Sequence, residues 1–91
     1  NKEPEEEKHK KNLQERIDEV CVEYKLTPRE KEFIELIYSG KSNKEIAEIL
    51  FLSESTVKTH IYNIFRKMNV KSRVGVIYIV NEENEDELPR H

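Results

Sequence analysis

The clearest hydrophobic pattern lies between Ser42 and Val70, where apolar residues recur every three or four positions in two blocks. This period predicts two amphipathic helices, joined by a turn of about three residues. Ser42 precedes the first block and Ser53 the second, so a hydroxyl that can cap free N–H groups stands at each predicted start. The apolar positions are Ile46, Ile49 and Leu50 in the first helix, around Ala47, and Val57, Ile61, Ile64, Phe65 and Met68 in the second.

The predicted turn between these helices holds two apolar residues, Phe51 and Leu52, where such a helix pair often has glycine. A left-handed backbone at Phe51 would cost on the order of 1–2 kcal/mol. We therefore expect a turn in which Phe51 avoids positive φ.

A helix before this pair has agreeing start and stop signals. Thr27 is a capping residue, Pro28 takes the first helical position, and Glu30 follows three residues after the cap. Gly40 supplies the left-handed residue that helix C-termini favour. The predicted buried face contains Phe33, Ile34, Ile37 and Tyr38, with Leu36 beside it.

The last predicted helix follows Val70, with Ser72 as its cap, and is apolar on more than one side. One side must face the core. On so small a chain, the apolar surface that remains exposed is either an interface with a partner or a patch that promotes aggregation. We expect self-association through this helix; the alternative is that an amino-terminal helix covers it. Gly75 costs about 1 kcal/mol relative to alanine, which is tolerable where another backbone comes close. The apolar residues are Val74, Val76, Ile77, Ile79 and Val80.

The segment from Glu5 to Tyr24 predicts a further helix with a narrow apolar stripe. Two interpretations stay open: a linker or dimer-seam helix arriving from an upstream domain, or a helix packed on the same core. Cys21 fits a small core residue better than a reactive thiol. The stripe consists of Leu13, Ile17, Val20, Cys21 and Tyr24.

These patterns divide the chain into three segments and predict an all-α fold. Residues 1–25 form a charged linker helix, residues 26–80 a four-helix domain, and residues 81–91 an acidic tail that we expect to be disordered.

The net charge of −3 hides an asymmetry. Residues 25–81 carry ten cations and six anions, a net charge of +4, and the acidity lies in the two ends. The basic middle is a candidate for binding an anionic partner.

Composition excludes several classes of protein. The single cysteine and three scattered histidines, His9, His60 and His91, give neither a disulfide framework nor metal-ligand spacing. We find no nucleophile–base pair and no glycine-rich phosphate loop, so we expect neither an enzyme nor a cofactor. The chain has no apolar run that could span a bilayer and no signal peptide, which favours the cytoplasm. Because it begins at Asn1, we expect a fragment of something longer.

The polar side of the second helix of the pair has an unusual composition. At about 100° per residue, the side opposite the apolar stripe holds hydroxyls, an amide, a phenol and cations, and the one acidic residue, Glu54, lies in the first turn. Such groups suit base edges and phosphates, whereas alternating Glu and Lys would serve an ordinary solvated face. The residues are Ser55, Thr59, Tyr62, Asn63 and Arg66, with Lys58 and Lys67 on the shoulders.

Several motifs stand in order across residues 26–80: Leu26-Thr27-Pro28-Arg29-Glu30, Gly40-Lys41-Ser42-Asn43-Lys44-Glu45-Ile46-Ala47, Ser53, Thr56-Val57-Lys58-Thr59-His60, Asn63-Ile64, Lys67-Met68 and Val70-Lys71-Ser72-Arg73. At this spacing they resemble the LuxR/GerE-type helix-turn-helix domain. The resemblance implies a four-helix DNA-binding domain whose third helix enters the major groove. It also implies homodimers on inverted-repeat sites, with the last helix as a seam, and a sensory or receiver domain upstream. A turn such as Phe51-Leu52 is similar to what the family often carries.

The resemblance also implies roles for individual residues. Tyr62 stands where many members have a basic residue, so the resemblance does not extend to a bidentate guanine contact there. His60, at the edge of the core stripe, fits a packed histidine. The implied base contacts are Lys58, Thr59 and Tyr62; the implied phosphate contacts are Asn43, Lys44, Ser55, Thr56, Asn63, Arg66 and Lys67; the predicted dimer interface is Gly75, Val76, Ile79 and Val80.

The sequence therefore predicts sequence-specific binding of double-stranded DNA by the output domain of a bacterial transcriptional regulator. Two other functions stay open. One is a protein-interaction module in which DNA binding is vestigial, which the acidic ends favour. The other is a sigma-factor-like promoter-recognition domain, which would need a polymerase core in order to bind.

Overall fold

The computed structural model describes residues 11–82. These form five α-helices, and no strand occurs among them, which confirms the predicted all-α fold. The start of the predicted amino-terminal helix and the predicted tail from residue 83 lie outside the described residues. Asn81 and Glu82, assigned to the tail, instead end the last helix. The helices are α1 (Leu13–Glu23), α2 (Pro28–Tyr38), α3 (Asn43–Leu50), α4 (Glu54–Met68) and α5 (Arg73–Glu82).

Capping boxes fix the starts of the first three helices. In α3, the Ser42 hydroxyl accepts from the Glu45 N–H at 3.1 Å, and the Glu45 carboxylate accepts from the Ser42 N–H at 2.8 Å. The same reciprocal pair begins α1 at Asn12 and α2 at Thr27. Ser53 caps α4 through the Thr56 N–H. Each cap satisfies N–H groups that have no partner within the helix.

The turn between α3 and α4 contradicts the prediction for Phe51. This residue has φ 59° and ψ 46°, a left-handed conformation, and its side chain is 93% exposed. The N–H groups of Phe51 and Leu52 both donate to the Ala47 carbonyl. These bonds satisfy a helix-end acceptor and reverse the chain before Ser53, which offsets the steric cost at Phe51.

A single core joins all five helices. Ile17 and Val20 of α1 are buried in the same cluster as the apolar faces of the other helices. Thus α1 packs on the core, as the second interpretation of this segment predicts. Cys21 is half-buried, and burial raises the pKa of its thiol, so the reactive thiolate is disfavoured. The buried apolar residues are Ile17, Val20, Phe33, Ile34, Ile37, Ile46, Ala47, Val57, Ile61, Ile64, Met68, Val76 and Val80.

Polar contacts also tie α1 to its neighbours. The Lys31 ammonium of α2 pairs with the Asp18 carboxylate of α1 at 2.5 Å. The Tyr38 hydroxyl donates to Asn81 of α5 at 2.6 Å, and Arg16 of α1 donates to that hydroxyl at 3.5 Å. These bonds connect α1, α2 and α5 at one side of the domain.

The structure corrects the residues expected to form a dimer seam on α5. Val76 and Val80 are fully buried in the core of their own chain, so neither presents its side chain to a partner. A Cβ on Gly75 would lie 2.7 Å from the Val70 Cβ, so the close approach there comes from a side chain of the same protomer. Ile79 is partly buried against the core. The sequence did not reveal which apolar side faces inward, because α5 is apolar around most of its circumference.

The packing of α1 gives a direct test of its structural role. Ile17→Ala should lower the free energy of unfolding by about 2–5 kcal/mol, because it removes a fully buried side chain and leaves a cavity. Chemical denaturation of the chain measures this change. Val22→Ala is the matched control on the same helix; Val22 is 79% exposed, and its loss should stay within about 0.5 kcal/mol. Equal, small effects would show that α1 is only a linker.

Candidate nucleic-acid interface

The buried faces of α3 and α4 determine which residues remain outside. Val57, Ile61 and Ile64 of α4 are buried with Ile46 of α3. Since residues on the opposite side of a helix point away from such a stripe, the polar flank of α4 faces solvent. The structure therefore keeps that flank outside the protein's own body.

The residues predicted to touch DNA are found largely on this exposed surface. Lys58 and Thr59 are exposed, and Tyr62 is 62% exposed. Among the predicted phosphate contacts, Thr56 and Asn43 are half-buried and the others are exposed. Most of these side chains are accessible to solvent on α3 and α4; that they contact DNA stays a prediction.

Side chains along the α4 flank also interact with one another. The Thr59 hydroxyl donates to the Ser55 carbonyl one turn earlier at 3.2 Å, which leaves its lone pairs to accept a hydrogen bond. The Arg66 guanidinium lies 5.8 Å from the centroid of the Tyr62 ring. Such a cation–π contact is worth about 0.5–1 kcal/mol at an exposed site. It holds a cation and an aromatic ring side by side on the flank.

The start of α3 leaves donors for an anion. Its capping box occupies the N–H groups of Ser42 and Glu45. The N–H groups of Asn43 and Lys44, between them, have no helical partner because a helix has none in its first turn. These donors and the helix dipole favour negative charge at this end. This end of α3 therefore suits an anionic group such as a phosphate.

The structure reveals a contact to Asn43 that sequence reasoning missed. The Arg73 guanidinium at the start of α5 donates to the Asn43 side-chain oxygen and, at 2.7 Å, to the Lys41 carbonyl. Arg73 belongs to the last motif of the resemblance, but no local pattern pairs it with a residue thirty positions away. Only the packed fold brings the two together.

The Lys67 ammonium pairs with the carboxylate of Glu30, a residue that the sequence predicted only as part of a helix cap. Glu30 is 7% exposed, and its Oε1 accepts from the Lys67 ammonium at 2.8 Å and from the Thr27 N–H at 2.9 Å. Burial would raise the pKa of Glu30, but the bonds from Lys67 and Thr27 outweigh it and lower the pKa below its usual value. The pair lies in a polar depression of about 390 Å³, with Asn63 and Arg66. Part of the charge of Lys67 is thus neutralised within the protein.

His60 of α4 has a packing partner on α2. Its ring stacks on Phe33 with centroids 4.8 Å apart, and the residue is half-buried. This confirms the expectation of a packed histidine. Between residues 11 and 82, the structure shows no group of His, Cys, Asp and Glu that could hold a metal ion. No helix in that range is long and apolar enough to cross a membrane.

Comparison with known proteins gives a family and several relatives. The family described as bacterial regulatory proteins, luxR family, matches residues 24–80. The CsgBAC operon transcriptional regulatory protein of Escherichia coli is 51% identical over 57 residues, which is 63% of this chain and 26% of that protein. The nitrate/nitrite response regulator protein NarL of Escherichia coli is 47% identical over 58 residues, 64% of this chain and 27% of that protein. The chain spans about a quarter of the length of these relatives.

The Glu30–Lys67 pair generates a prediction for stability against pH. Because the pKa of Glu30 is lowered on folding, the pair's contribution is present above the unfolded pKa of about 4.5 and is lost as pH falls through the folded pKa. Glu30→Gln should therefore flatten the decline in unfolding free energy between pH 6 and pH 3, measured by urea denaturation.

Lys67→Met provides the reciprocal test of the same pair. Without the Lys67 ammonium, only the hydrogen bonds from Thr27 oppose the effect of burial on Glu30. The pKa of Glu30 should therefore rise. Stability at neutral pH should then fall by about 1–3 kcal/mol, and part of that loss should be recovered on acidification. A Lys67→Met protein with wild-type stability at every pH would contradict a structural role for the pair.

Proposed function

We propose that this chain, which belongs to the LuxR family of bacterial regulatory proteins, binds double-stranded DNA sequence-specifically as the output domain of a transcriptional regulator. The observation that carries the proposal is the exposed flank of α4, with its hydroxyls, amide, phenol and cations, beside a helix start that suits phosphate. The regulatory names of the relatives support it. The family is described as one of bacterial regulatory proteins, which supports a regulatory function rather than a catalytic one.

In this proposal α4 lies in the major groove and reads bases through Lys58, Thr59 and Tyr62. A lysine ammonium donates to the acceptors of guanine, and a threonine can meet the thymine methyl or either class of base. Tyr62 offers a phenol held beside Arg66. These three residues lie on the exposed side of α4 within two helical turns, which is the length that a groove-bound helix uses for base contacts.

Phosphate contacts surround these base contacts and set the position of the domain on the duplex. The start of α3 contributes backbone and side-chain donors, and the last turn of α4 contributes the cations Arg66 and Lys67. Lys67 contributes less than an unpaired lysine, because Glu30 already accepts from it. The proposed phosphate contacts are Asn43, Lys44, Ser55, Thr56, Asn63, Arg66 and Lys67.

We further propose that two copies associate through α5 and bind an inverted repeat. The surface for this contact is the outward side of α5, where Val74 is 73% exposed and Tyr78 is also exposed. A two-fold pair of domains on DNA requires two half-sites at a fixed spacing. The relatives named as response regulators are several times longer than the match, which supports a sensory or receiver domain elsewhere in the full protein. Cytoplasmic location stays a prediction.

A protein-interaction module remains the second candidate, and the exposed ring of Phe51 is the observation that favours it. An aromatic side chain held outward on the turn of the helix pair could contact a partner protein. Titration with duplex DNA at several salt concentrations separates the two functions. Absence of salt-dependent binding would favour the interaction module.

Lys58 and Lys44 should affect binding in different ways. Lys58→Ala should cost about 1–3 kcal/mol on a selected binding site and relax one base preference, because it removes a base contact. Lys44→Ala should weaken binding to selected and random duplex alike and reduce the salt slope by about 0.9, because it removes a phosphate contact. Competition titrations with both duplexes measure the difference. Equal losses on both duplexes for Lys58→Ala would contradict base readout by this residue.

The dimer surface is tested by placing a charge on α5. Val74→Asp should lower affinity for DNA with two half-sites by about 100-fold, since cooperative binding is lost, while affinity for one half-site stays unchanged. Gel-shift titration with both duplexes measures this. Val22→Asp, which adds the same charge at a similarly exposed valine on α1, is the control and should leave both affinities near wild type. Equal losses for the two variants would remove the argument for α5.

A further inference from the structure

The guanidinium of Arg73 joins two parts of the molecule that the proposed function uses separately. Arg73 is the first residue of α5, the helix proposed for self-association. Its Nη1 donates to the Lys41 carbonyl in the loop before α3, and its Nη2 donates to Oδ1 of Asn43, the first residue of α3. The contact is partly buried. One planar side chain thus fixes both the loop and the first side chain of α3.

The bond from Arg73 determines which way the Asn43 amide faces. An asparagine amide has one acceptor oxygen and an NH₂ group with two donors. Because Arg73 has only donors, it selects the orientation in which the oxygen points toward it. The NH₂ group is then on the other branch of the amide and is left for an acceptor. The opposite orientation would place the NH₂ group of Asn43 against the N–H groups of Arg73, which are donors on both sides.

An oriented NH₂ group at this position complements the start of α3. The N–H groups of Asn43 and Lys44 lie in the same first turn and have no helical partner. A phosphate oxygen accepts hydrogen bonds but donates none, so it would be repelled by an amide turned with its oxygen outward. Arg73 therefore holds the end of α3 in the arrangement that favours an anion.

We propose that Arg73 is a positioning residue for DNA binding, which aims the Asn43 amide at a backbone phosphate without contacting the DNA itself. This inference rests on the proposed function of the α3–α4 surface. It adds a physical link between α5 and that surface, since the residue that begins the self-association helix also orients a phosphate contact. A lysine cannot replace it, because one ammonium lacks the planar fork that spans both acceptors.

A double-mutant cycle tests this role. Arg73→Lys, Asn43→Ala and the double variant of the 91-residue chain are titrated with selected and random duplex at several salt concentrations. Each single variant should weaken binding to both duplexes by about tenfold, with the salt slope unchanged because no cation is lost. The double variant should bind no more weakly than the weaker single variant, since both changes remove the same contact.

Multiplied losses in the double variant would overturn the inference, because Arg73 would then act independently of Asn43. Absence of binding by the wild-type chain would instead overturn the proposed function itself. Arg16→Lys is the matched control, since its guanidinium likewise donates to one carbonyl and one side-chain oxygen, but on α1. It should leave DNA affinity unchanged. If it weakens binding as much as Arg73→Lys does, the effect is general destabilisation.

A measurement on the folded wild-type chain keeps the test independent of the variants' stability. The Asn43 side-chain NH₂ gives its own pair of NMR signals, which report its order. We expect these signals to show a rigid amide in the free protein and to shift on addition of duplex DNA. A freely rotating amide in the free protein, or signals that do not move when DNA binds, would contradict positioning by Arg73.

Discussion

Burial of one stripe of α4 determines the orientation of every residue on its other side. Val57, Ile61, Ile64 and Met68 are almost completely removed from solvent. Rotating the helix by one residue in the direction of Tyr62 would expose part of this stripe and turn the polar Lys58 and Tyr62 toward the core, which is unfavourable on both counts. The rotation of α4 is therefore set by the core. The same constraint presents Lys58, Thr59 and Tyr62 together on one flank.

Polar contacts extend this constraint to the neighbouring helices. The Glu30–Lys67 pair connects the start of α2 to the end of α4, and Arg73 connects α5 to the start of α3. In each case a cationic side chain donates a hydrogen bond to a residue in the first turn of a helix. Lys67 donates to Glu30 of α2, and Arg73 donates to Asn43 of α3. Because an unpaired buried carboxylate is costly, Glu30 keeps Lys67 close at neutral pH. The surface around α4 thus depends on groups that need not touch DNA.

The sequence predicted those features that depend on neighbouring residues. The caps at Thr27, Ser42 and Ser53 and the stop at Gly40 could be read because each is a local choice of residue type. The flank of α4 could be read because its stripe repeats clearly. Phe51 was predicted wrongly because the bonds to the Ala47 carbonyl, which favour its left-handed backbone, belong to the folded turn.

The remaining errors and omissions concern contacts between distant segments. Val76 and Val80 could not be assigned to the inner side of α5, because apolar residues surround most of that helix. The partners of Glu30 and Arg73 lie 37 and 30 residues away, respectively, and no periodicity encodes such a pairing. Family resemblance indicated that these positions matter as part of a motif. The structure adds the physical reason: Glu30 accepts a hydrogen bond from Lys67, and Arg73 donates one to Asn43.

The distribution of charge explains how an acidic chain can present a surface for DNA. The chain has a net charge of −3, yet α1, which carries Asp18, Glu19 and Glu23, packs on α2 and α5. Charges in solvent are screened over about 8 Å at physiological salt. A phosphate at the α4 flank would therefore respond to nearby Lys58 and Arg66 far more than to distant carboxylates. In the proposed function, the acidity of α1 would therefore disfavour a duplex near α1 and favour one at the cationic flank of α4.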